Sequence, residues 1–562
     1  MTEKAHRSFQ NRPERYQSGL TPLQVNERPI GPATKLMTRE AAAKANLFFK
    51  PGETYTFAAG DHSIDDVLPA ADKATTNFLT GYYPQRGTHI PIPSHDAIHN
   101  NGRLPKTRMG LVVASGAADV RDAVASHIKY INKLTPYPIE VFDPSDVQNQ
   151  SLLLVPYINT EVAQNRFEQL GADIVGLPGA MTNVLKNKAE SHLLLRDEYQ
   201  SDTFRVADFT IAEVQDTATE AYKFLGEVEE IYREAGLAEA YKEKLGIVLR
   251  SAESDGNYGN CIVRVENNNI LIIKDGDREN ATEITGKGES EWKAALQEAQ
   301  QYLHQTMNEE IENRVVISRY ADIVDSPGMT ASLIDGHILS WGWNGQLTKE
   351  GSKACIGTST YEPKDAYVAD LQKEFEPAIE EDYAAFLKWL AGEQQRDFTK
   401  LRAISNIDIM LPSPLEFELQ KRRGQARHVI LAEFNPRLSE FSDPVVGKTL
   451  FYPQLEQTTE TFREINRKGV YTYAKWPLPP HIDPREVRAE LEKMYAPETP
   501  RTIHETRTER GLVAVRMAPK PSEDPNDESR TDPTMGFVIY DNKKAGVDAV
   551  KTAIKRVKPK AA

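Results

Sequence analysis

The stretch HVILAEFNPRLSEF, residues 428–441, begins as an apolar segment and ends in an acid, an amide and a guanidinium group. Its apolar residues at 429–431 predict a buried strand. Glu433 and Asn435 follow two positions apart, so their side chains share one face of that strand, and Arg437 comes directly behind them. A strand of this composition either emerges into solvent at its end or lines a site for a charged ligand.

A second apolar strand, NIDIMLPSP at residues 406–414, carries Asp408. We predict a charged loop over EFELQKRRGQARH, residues 416–428, and strands joined by such a loop can pair antiparallel. That pairing would bring Asp408 close to Glu433 and Asn435. Three hard oxygen donors suit Mg²⁺, which takes one or two carboxylates and completes its shell with phosphate oxygens and water. Asp408 considered alone would equally suit a partner for a buried arginine.

The segment RSAESDGNYGN, residues 250–260, follows a predicted strand and contains Gly256 and Gly259. A glycine-containing turn leaves backbone N–H groups able to approach phosphate oxygens, and Arg250 would supply a fixed cation beside them. The alternative is a hairpin turn whose glycines adopt positive φ. Arg437, which follows the strand that carries Glu433 and Asn435, could bind a phosphate with its planar guanidinium group.

Composition narrows the class of protein. A chain of 562 residues is too long for one core and predicts three or four domains. The net charge of −14 argues against a general nucleic-acid binder. Two cysteines, Cys261 and Cys355, are too few for a disulfide framework or a thiolate metal site. Without an apolar run of membrane-spanning length or a signal core, we expect a cytoplasmic protein and no membrane partner.

The pattern along the chain predicts four regions. Residues 1–105 are rich in Pro, Gly and Asn and predict an irregular extension. Strands and helices alternate over residues 106–185, which predicts a parallel α/β domain. Residues 186–445 alternate helices with hairpins, and residues 446–562 predict a small α+β cap. Tight turns are predicted at Asn267 to Asn269 and at Asp335-Gly336.

The order of elements over residues 183–445 resembles the ATP-grasp family, in which two α+β subdomains clamp ATP. The resemblance is strongest at NIDIML and AEFNPR, which look like the family's metal-ligand strands. It extends to GIVLRSAESDGNYGN, which is similar to the family's phosphate-binding loop, and to LKNKAESH, where Lys188 lies in the lead-in helix. The region 106–185 looks like the smaller domain that precedes such cores.

The resemblance implies a set of site residues. The metal ligands would be Asp408, Glu433 and Asn435. The nucleotide would be held by Lys188, Arg250, Ser254, Asp255, Gly256, Asn257, Gly259 and Arg319, while Arg250 and Arg437 would act in catalysis. The chain departs from the family's pattern at Arg250, where the family has a lysine, and at Ser318, near the place of the family's ribose-binding glutamate.

The function implied by the resemblance is an ATP-dependent carboxylate–amine ligase that uses Mg²⁺, forms an acyl phosphate and releases ADP and phosphate. Its partners would be a small carboxylate and an amine, both amino-acid-like, and a homodimer is kept as an open alternative. Two other functions stay open on the same scaffold. One is an ATP-dependent carboxylase or phosphotransferase, and the other is a nucleotide-binding regulatory protein without turnover. The residues do not name the acid or the amine.

Overall fold

The structure is a computed structural model. It describes residues 176–253, 259–307, 313–334, 336–348 and 355–436, the shorter stretches 55–60, 108–112, 140–142, 151–154, 173–174, 472–477, 484–495, 511–517, 534–540 and 543–557, and the isolated positions 159, 161, 164, 165, 168 and 482.

The strands are β1 Tyr55–Gly60, β2 Arg108–Val112, β3 Glu140–Phe142, β4 Ser151–Leu154, β5 Asp173–Ile174, β6 Phe204–Arg205, β7 Phe209–Glu213, β8 Gly246–Ser251, β9 Asn260–Glu266, β10 Asn269–Lys274, β11 Thr282–Ile284, β12 Arg314–Arg319, β13 Ile323–Asp325, β14 Gly328–Ile334, β15 His337–Thr348, β16 Cys355–Thr360, β17 Arg402–Pro412, β18 Val429–Asn435, β19 Thr472–Pro477, β20 Gly511–Met517 and β21 Thr534–Tyr540. The α-helices are α1 Gly179–Lys186, α2 Lys188–Asp197, α3 Thr217–Glu234, α4 Ala238–Tyr241, α5 Glu289–Thr306, α6 Ala366–Glu393, α7 Pro414–Arg422, α8 Pro484–Tyr495 and α9 Lys543–Arg556, and short 3₁₀ turns cover Val214–Asp216 and Phe398–Lys400.

The first sheet is parallel throughout, with the order β3-β2-β1-β4-β5. Its strands β2 to β5 fall in the region predicted to be a parallel α/β domain. Strand β1, however, lies in the centre of this sheet and comes from the segment predicted to be an irregular extension. The rest of the predicted extension, residues 1–54 and 61–105, lies outside the described residues.

The second sheet has six antiparallel strands in the order β11-β10-β9-β8-β12-β7. Helices α3 and α5 cover one face of it with apolar residues at helical spacing, including Phe224, Val228, Trp292 and Leu296. The turn between β9 and β10 is the predicted one. Asn267 and Asn268 both adopt positive φ there, as a tight two-residue hairpin requires.

The third sheet has ten strands, with β20-β21-β19-β16-β15-β14-β17-β18-β6 in order and β13 paired to β17. The hairpin of β14 and β15 turns at the predicted position, where Gly336 has a φ of +80°. Helix α6 packs against the core face of this sheet through residues such as Tyr383 and Phe386. Strands β19 to β21, from the region predicted to be a cap, extend the same sheet through β16.

Helix α2 lies between the second and third sheets. Leu194 and Leu195 join the core of the ten-stranded sheet, whereas Ala189 contacts the opposite side of the six-stranded sheet, near Phe209 and Val316. The residues on α2 that face neither core therefore lie where the two sheets approach each other. Among the described helices, none is long and apolar enough to cross a membrane.

Candidate active site

A β-bulge at Ala432 determines which side chains meet on the ten-stranded sheet. Strand β17 pairs antiparallel with β18, as predicted, with Ile409 opposite Leu431 and Asp408 opposite Glu433, so Ala432 has no counterpart. Before the bulge, Leu431 points into the core; after it, Phe434 does so, and the alternation has changed phase. Without the bulge, Glu433 would share the core face with Leu431. With it, Glu433 lies directly opposite Asp408.

The three predicted metal ligands contact one another on this face. Asn435 Nδ2 donates to Asp408 Oδ2 at 2.9 Å and lies 3.5 Å from Glu433 Oε1. Among the described residues, no three His, Cys, Asp or Glu side chains cluster closely enough to hold a metal by themselves. An ion here would need the amide oxygen and oxygens from a ligand as well. Two carboxylates and an amide fit Mg²⁺ bound together with a nucleotide.

Lys188 places a cation beside these ligands. Its Nζ lies 3.3 Å from Glu433 Oε2, and its side chain is 5% exposed. Its backbone N–H donates to the carbonyl of Ala252, which follows β8, at 2.7 Å. The side chain of Asn187 caps the first turn of α2 by accepting from Glu190 N–H at 3.1 Å. The start of α2 is thus fixed to the six-stranded sheet while Lys188 reaches the ten-stranded one.

Arg250, at the end of β8, also connects the six-stranded sheet to the ten-stranded one. Its Nη1 donates to the carbonyl of Ala432, the bulge residue, at 2.7 Å. Its Nη2 lies 3.0 Å from His192 Nε2 and 3.5 Å from Ser318 Oγ. Burial lowers the pKa of Arg250, and the charge of Glu433 partly offsets that effect. Its buried Nε has no hydrogen-bond partner within the described part of the chain, so one donor remains for an anion.

His192 is a neutral acceptor for Arg250. Burial and the neighbouring charges of Arg250 and Lys188 hold the pKa of His192 well below its ordinary value. Because an arginine can only donate, Nε2 must accept and the proton must sit on Nδ1. The ring also packs edge-on against Phe209, at 5.3 Å between centroids. The structure therefore gives His192 a role that the sequence did not suggest, that of orienting Arg250.

Arg319 does not join this group. It neighbours Ser318 on β12, and alternation sends its side chain to the opposite face, which the helices cover. There it donates to both carboxylate oxygens of Glu416, at 2.9 and 2.5 Å, and to Asp208 at 3.0 Å. Although burial raises the pKa of Asp208, the guanidinium groups of Arg319 and Arg423 outweigh it and lower that pKa to about 2. The geometry gives no support to a nucleotide contact by Arg319.

Several predicted site residues lie outside the described residues. These are Ser254, Asp255, Gly256, Asn257 and Arg437. Gly259, at the end of the same loop, has a φ of +70°, and its carbonyl accepts from Ser251 N–H at 3.0 Å. The predicted charged loop between β17 and β18 was wrong in one respect, because its first half forms helix α7. Ser413 caps that helix by accepting from Glu416 N–H at 3.2 Å.

By sequence, no family model and no curated protein matches the chain. Solved structures do resemble it. They include an N5-carboxyaminoimidazole synthase from Aspergillus clavatus in complex with ADP and 5-aminoimidazole ribonucleotide, with 9% identity, a TM-score of 0.44, and 90% of this chain and 99% of the other covered. That protein and the two solved structures described next are ATP-grasp enzymes. A biotin carboxylase from Campylobacter jejuni has 10% identity and a TM-score of 0.42, with 92% and 89% covered.

A D-alanine–D-alanine ligase from Bacillus anthracis has 14% identity and a TM-score of 0.33, with 64% of this chain and 99% of the other covered. At such identities and scores their substrates and reactions are not transferred to this chain.

Proposed function

We propose that this chain is an ATP-dependent carboxylate–amine ligase that activates its acid as an acyl phosphate. The observation that supports this most is the bulge at Ala432. It turns Glu433 and Asn435 toward Asp408 on a surface that also receives the cation of Lys188. An acid, an amide and a cation gathered where the two sheets approach each other suit a metal–polyphosphate complex better than they suit a packing interface, where each charge would need to be desolvated.

We assign roles to these residues on chemical grounds. Asp408, Glu433 and Asn435 would hold Mg²⁺, which would neutralise charge on the β and γ phosphates. Lys188, at the start of α2, and Arg250, on β8, would hold phosphate oxygens. Arg437, two residues after Asn435, would stabilise the acyl phosphate. Arg319 is left out of this assignment because of its contacts with Glu416 and Asp208.

The reaction then has two displacements. A carboxylate oxygen of the acid attacks the γ-phosphorus, and the bond from that phosphorus to the bridging oxygen breaks to release ADP. The amine nitrogen next attacks the acyl carbon, phosphate leaves, and the nitrogen loses a proton to give the amide. Positioning and charge neutralisation supply most of the rate enhancement in such a mechanism.

The products test this function. The full chain, incubated with Mg-ATP and mixed amino acids, should release ADP and phosphate in amounts equal to the amide seen by mass spectrometry. With the amine withheld, hydroxylamine should trap the acyl phosphate as a hydroxamate. AMP with pyrophosphate would instead indicate an adenylating enzyme. ADP formation that depends on bicarbonate, a phosphorylated acceptor, or nucleotide binding without turnover would each favour one of the open alternatives.

A second expected result concerns Lys188. Lys188→Met should raise the dissociation constant for ADP by about tenfold to a hundredfold, the loss expected from one hydrogen bond to a charged group. Isothermal titration calorimetry would measure it. Lys186→Met is the matched control, because Lys186 lies two residues earlier and forms a partly exposed pair with Glu253 at 3.6 Å. Equal affinities in the two variants would remove Lys188 from the nucleotide site.

A further inference from the structure

A row of buried polar side chains crosses four adjacent strands of the ten-stranded sheet and ends at Asp408. Asn344 on β15 donates from Nδ2 to Thr330 Oγ1 on β14 at 3.1 Å, and Thr330 donates to Asn406 Oδ1 on β17 at 3.0 Å. Asn406 Nδ2 then donates to Asp408 Oδ1 at 2.8 Å. Asn435, opposite Asn406 on β18, donates to the other oxygen of Asp408.

These residues share the face of the metal ligands. Their neighbours in sequence, Met329, Trp343, Ile407 and Phe434, all point into the core on the other face. Asn344, Thr330 and Asn406 are each no more than 2% exposed. Polar groups buried to this extent cost free energy unless every one is hydrogen-bonded, so apolar residues would serve a purely structural sheet better.

The direction of the hydrogen bonds is fixed along the row. Because the carboxylate of Asp408 only accepts, Asn406 presents its NH₂ group to Asp408 and its carbonyl oxygen to Thr330. The hydroxyl group of Thr330 therefore donates to Asn406 and accepts from Asn344. The amide orientation of Asn406 thus follows from its partners. Both carboxylate oxygens of Asp408 accept from side-chain N–H donors, which restrains rotation about its terminal bond.

We propose that Asn406 and Thr330 are positioning residues that hold the carboxylate of Asp408 in the orientation needed to bind a divalent cation. This inference rests on the proposed function. Residues that hydrogen-bond to metal ligands typically change metal affinity by about 10- to 100-fold when they are removed. Asn406 touches Asp408 directly, and Thr330 acts one step further away through the orientation of Asn406.

The test measures Mn²⁺ binding by electron paramagnetic resonance on the full chain at saturating ADP. Asn406→Leu should weaken Mn²⁺ binding by about 10- to 100-fold while leaving ADP affinity in EDTA unchanged. Thr330→Val should give a smaller loss in the same direction, and Thr330→Ser, which keeps the hydroxyl group, should restore wild-type affinity. Ser405→Ala is the matched control. Ser405 is buried on the same strand but bonds Tyr383 on the core face at 2.8 Å.

The outcomes separate this inference from the proposed function. Wild-type Mn²⁺ affinity in folded Asn406→Leu, together with lost binding in Glu433→Gln, would overturn the positioning role and leave the metal site intact. If the wild-type chain with ADP binds no Mn²⁺, both fail. Should Asn406→Leu not fold, the near-isosteric Thr330→Val decides, and an affinity equal to that of wild type would overturn the inference. A loss in Ser405→Ala equal to that in Thr330→Val would do so too, because it would reflect general destabilisation.

Discussion

Glu433→Gln should reduce ADP formation by on the order of 10²- to 10³-fold or more, since it removes one anionic metal ligand from a preorganised site. Glutamine keeps the volume of the side chain but carries no charge, and its NH₂ end cannot bind a cation. Glu433 lies opposite Asp408, and its side chain is 23% exposed. Because the side chain of Lys188 is buried, the loss of its pair with Glu433 should also lower the free energy of unfolding. Turnover and thermal unfolding, measured on the same sample, check both halves of the expectation.

Glu418→Gln is the control for this variant. Glu418 lies on α7 and forms an exposed pair with Arg422 at 2.8 Å. It should retain wild-type turnover. If Glu433→Gln consumed ATP normally, the assignment of Glu433 as a metal ligand would be wrong. If Glu433→Gln were instead unfolded at the assay temperature, the loss of turnover would carry no information on the metal.

Local patterns in the sequence predicted the elements that depend on neighbouring residues. The turn at Asn267 and Asn268 was predicted because asparagine tolerates positive φ, and the turn at Gly336 because glycine does. The pairing of β17 with β18 was also predicted, because two apolar strands joined by one charged segment can pair antiparallel. These features require only the chemistry of a few consecutive residues.

The apolar residues of β18 carry a sign of the bulge at Ala432 that the sequence prediction did not take into account. Val429 and Leu431 have the same parity, and Phe434 has the opposite one, yet all three are buried in one core. A change of phase in the apolar residues of a strand is the signature of one extra residue. Strict alternation would have placed Glu433 in the core with Leu431. The shared face with Asp408 therefore depended on a feature that the sequence prediction did not include.

The role of Arg319 could not be derived from local pattern. Adjacent residues on a strand face opposite ways, but the sequence does not say which face the helices cover. Ser318 points toward Arg250 and contacts it, so Arg319 points to the opposite face, toward α7. Its partner Glu416 lies 97 residues further along the chain. The place of β1 between β2 and β4 could not be derived for a similar reason, because these neighbours are distant in sequence.

The buried pair of Arg319 and Glu416 joins strand β12 of the six-stranded sheet to helix α7, which connects two strands of the ten-stranded sheet. Its loss should be strongly destabilising. Glu416 is fully buried and accepts from both Nη atoms of Arg319, from Tyr241 Oη at 3.0 Å and from Asp322 N–H at 3.2 Å. Asp322 lies in the linker from β12 to β13, and Asp208 in the linker from β6 to β7. Both chain crossings between the sheets are thus attached to one network.

Glu416→Gln should lower the free energy of unfolding by about 3–5 kcal/mol, because it leaves the guanidinium of Arg319 buried with only Asp208 to compensate it. The urea midpoint should fall, and hydrogen exchange should rise at residues 320–322, since that linker loses its acceptor. Glu418→Gln, on the same helix but exposed, should change neither quantity. ADP affinity should fall in Glu416→Gln, because the sheets that carry Arg250 and Glu433 would no longer be held together. An unchanged urea midpoint would mean that the Arg319–Glu416 pair makes no net contribution to the free energy of unfolding and that packing alone holds the sheets.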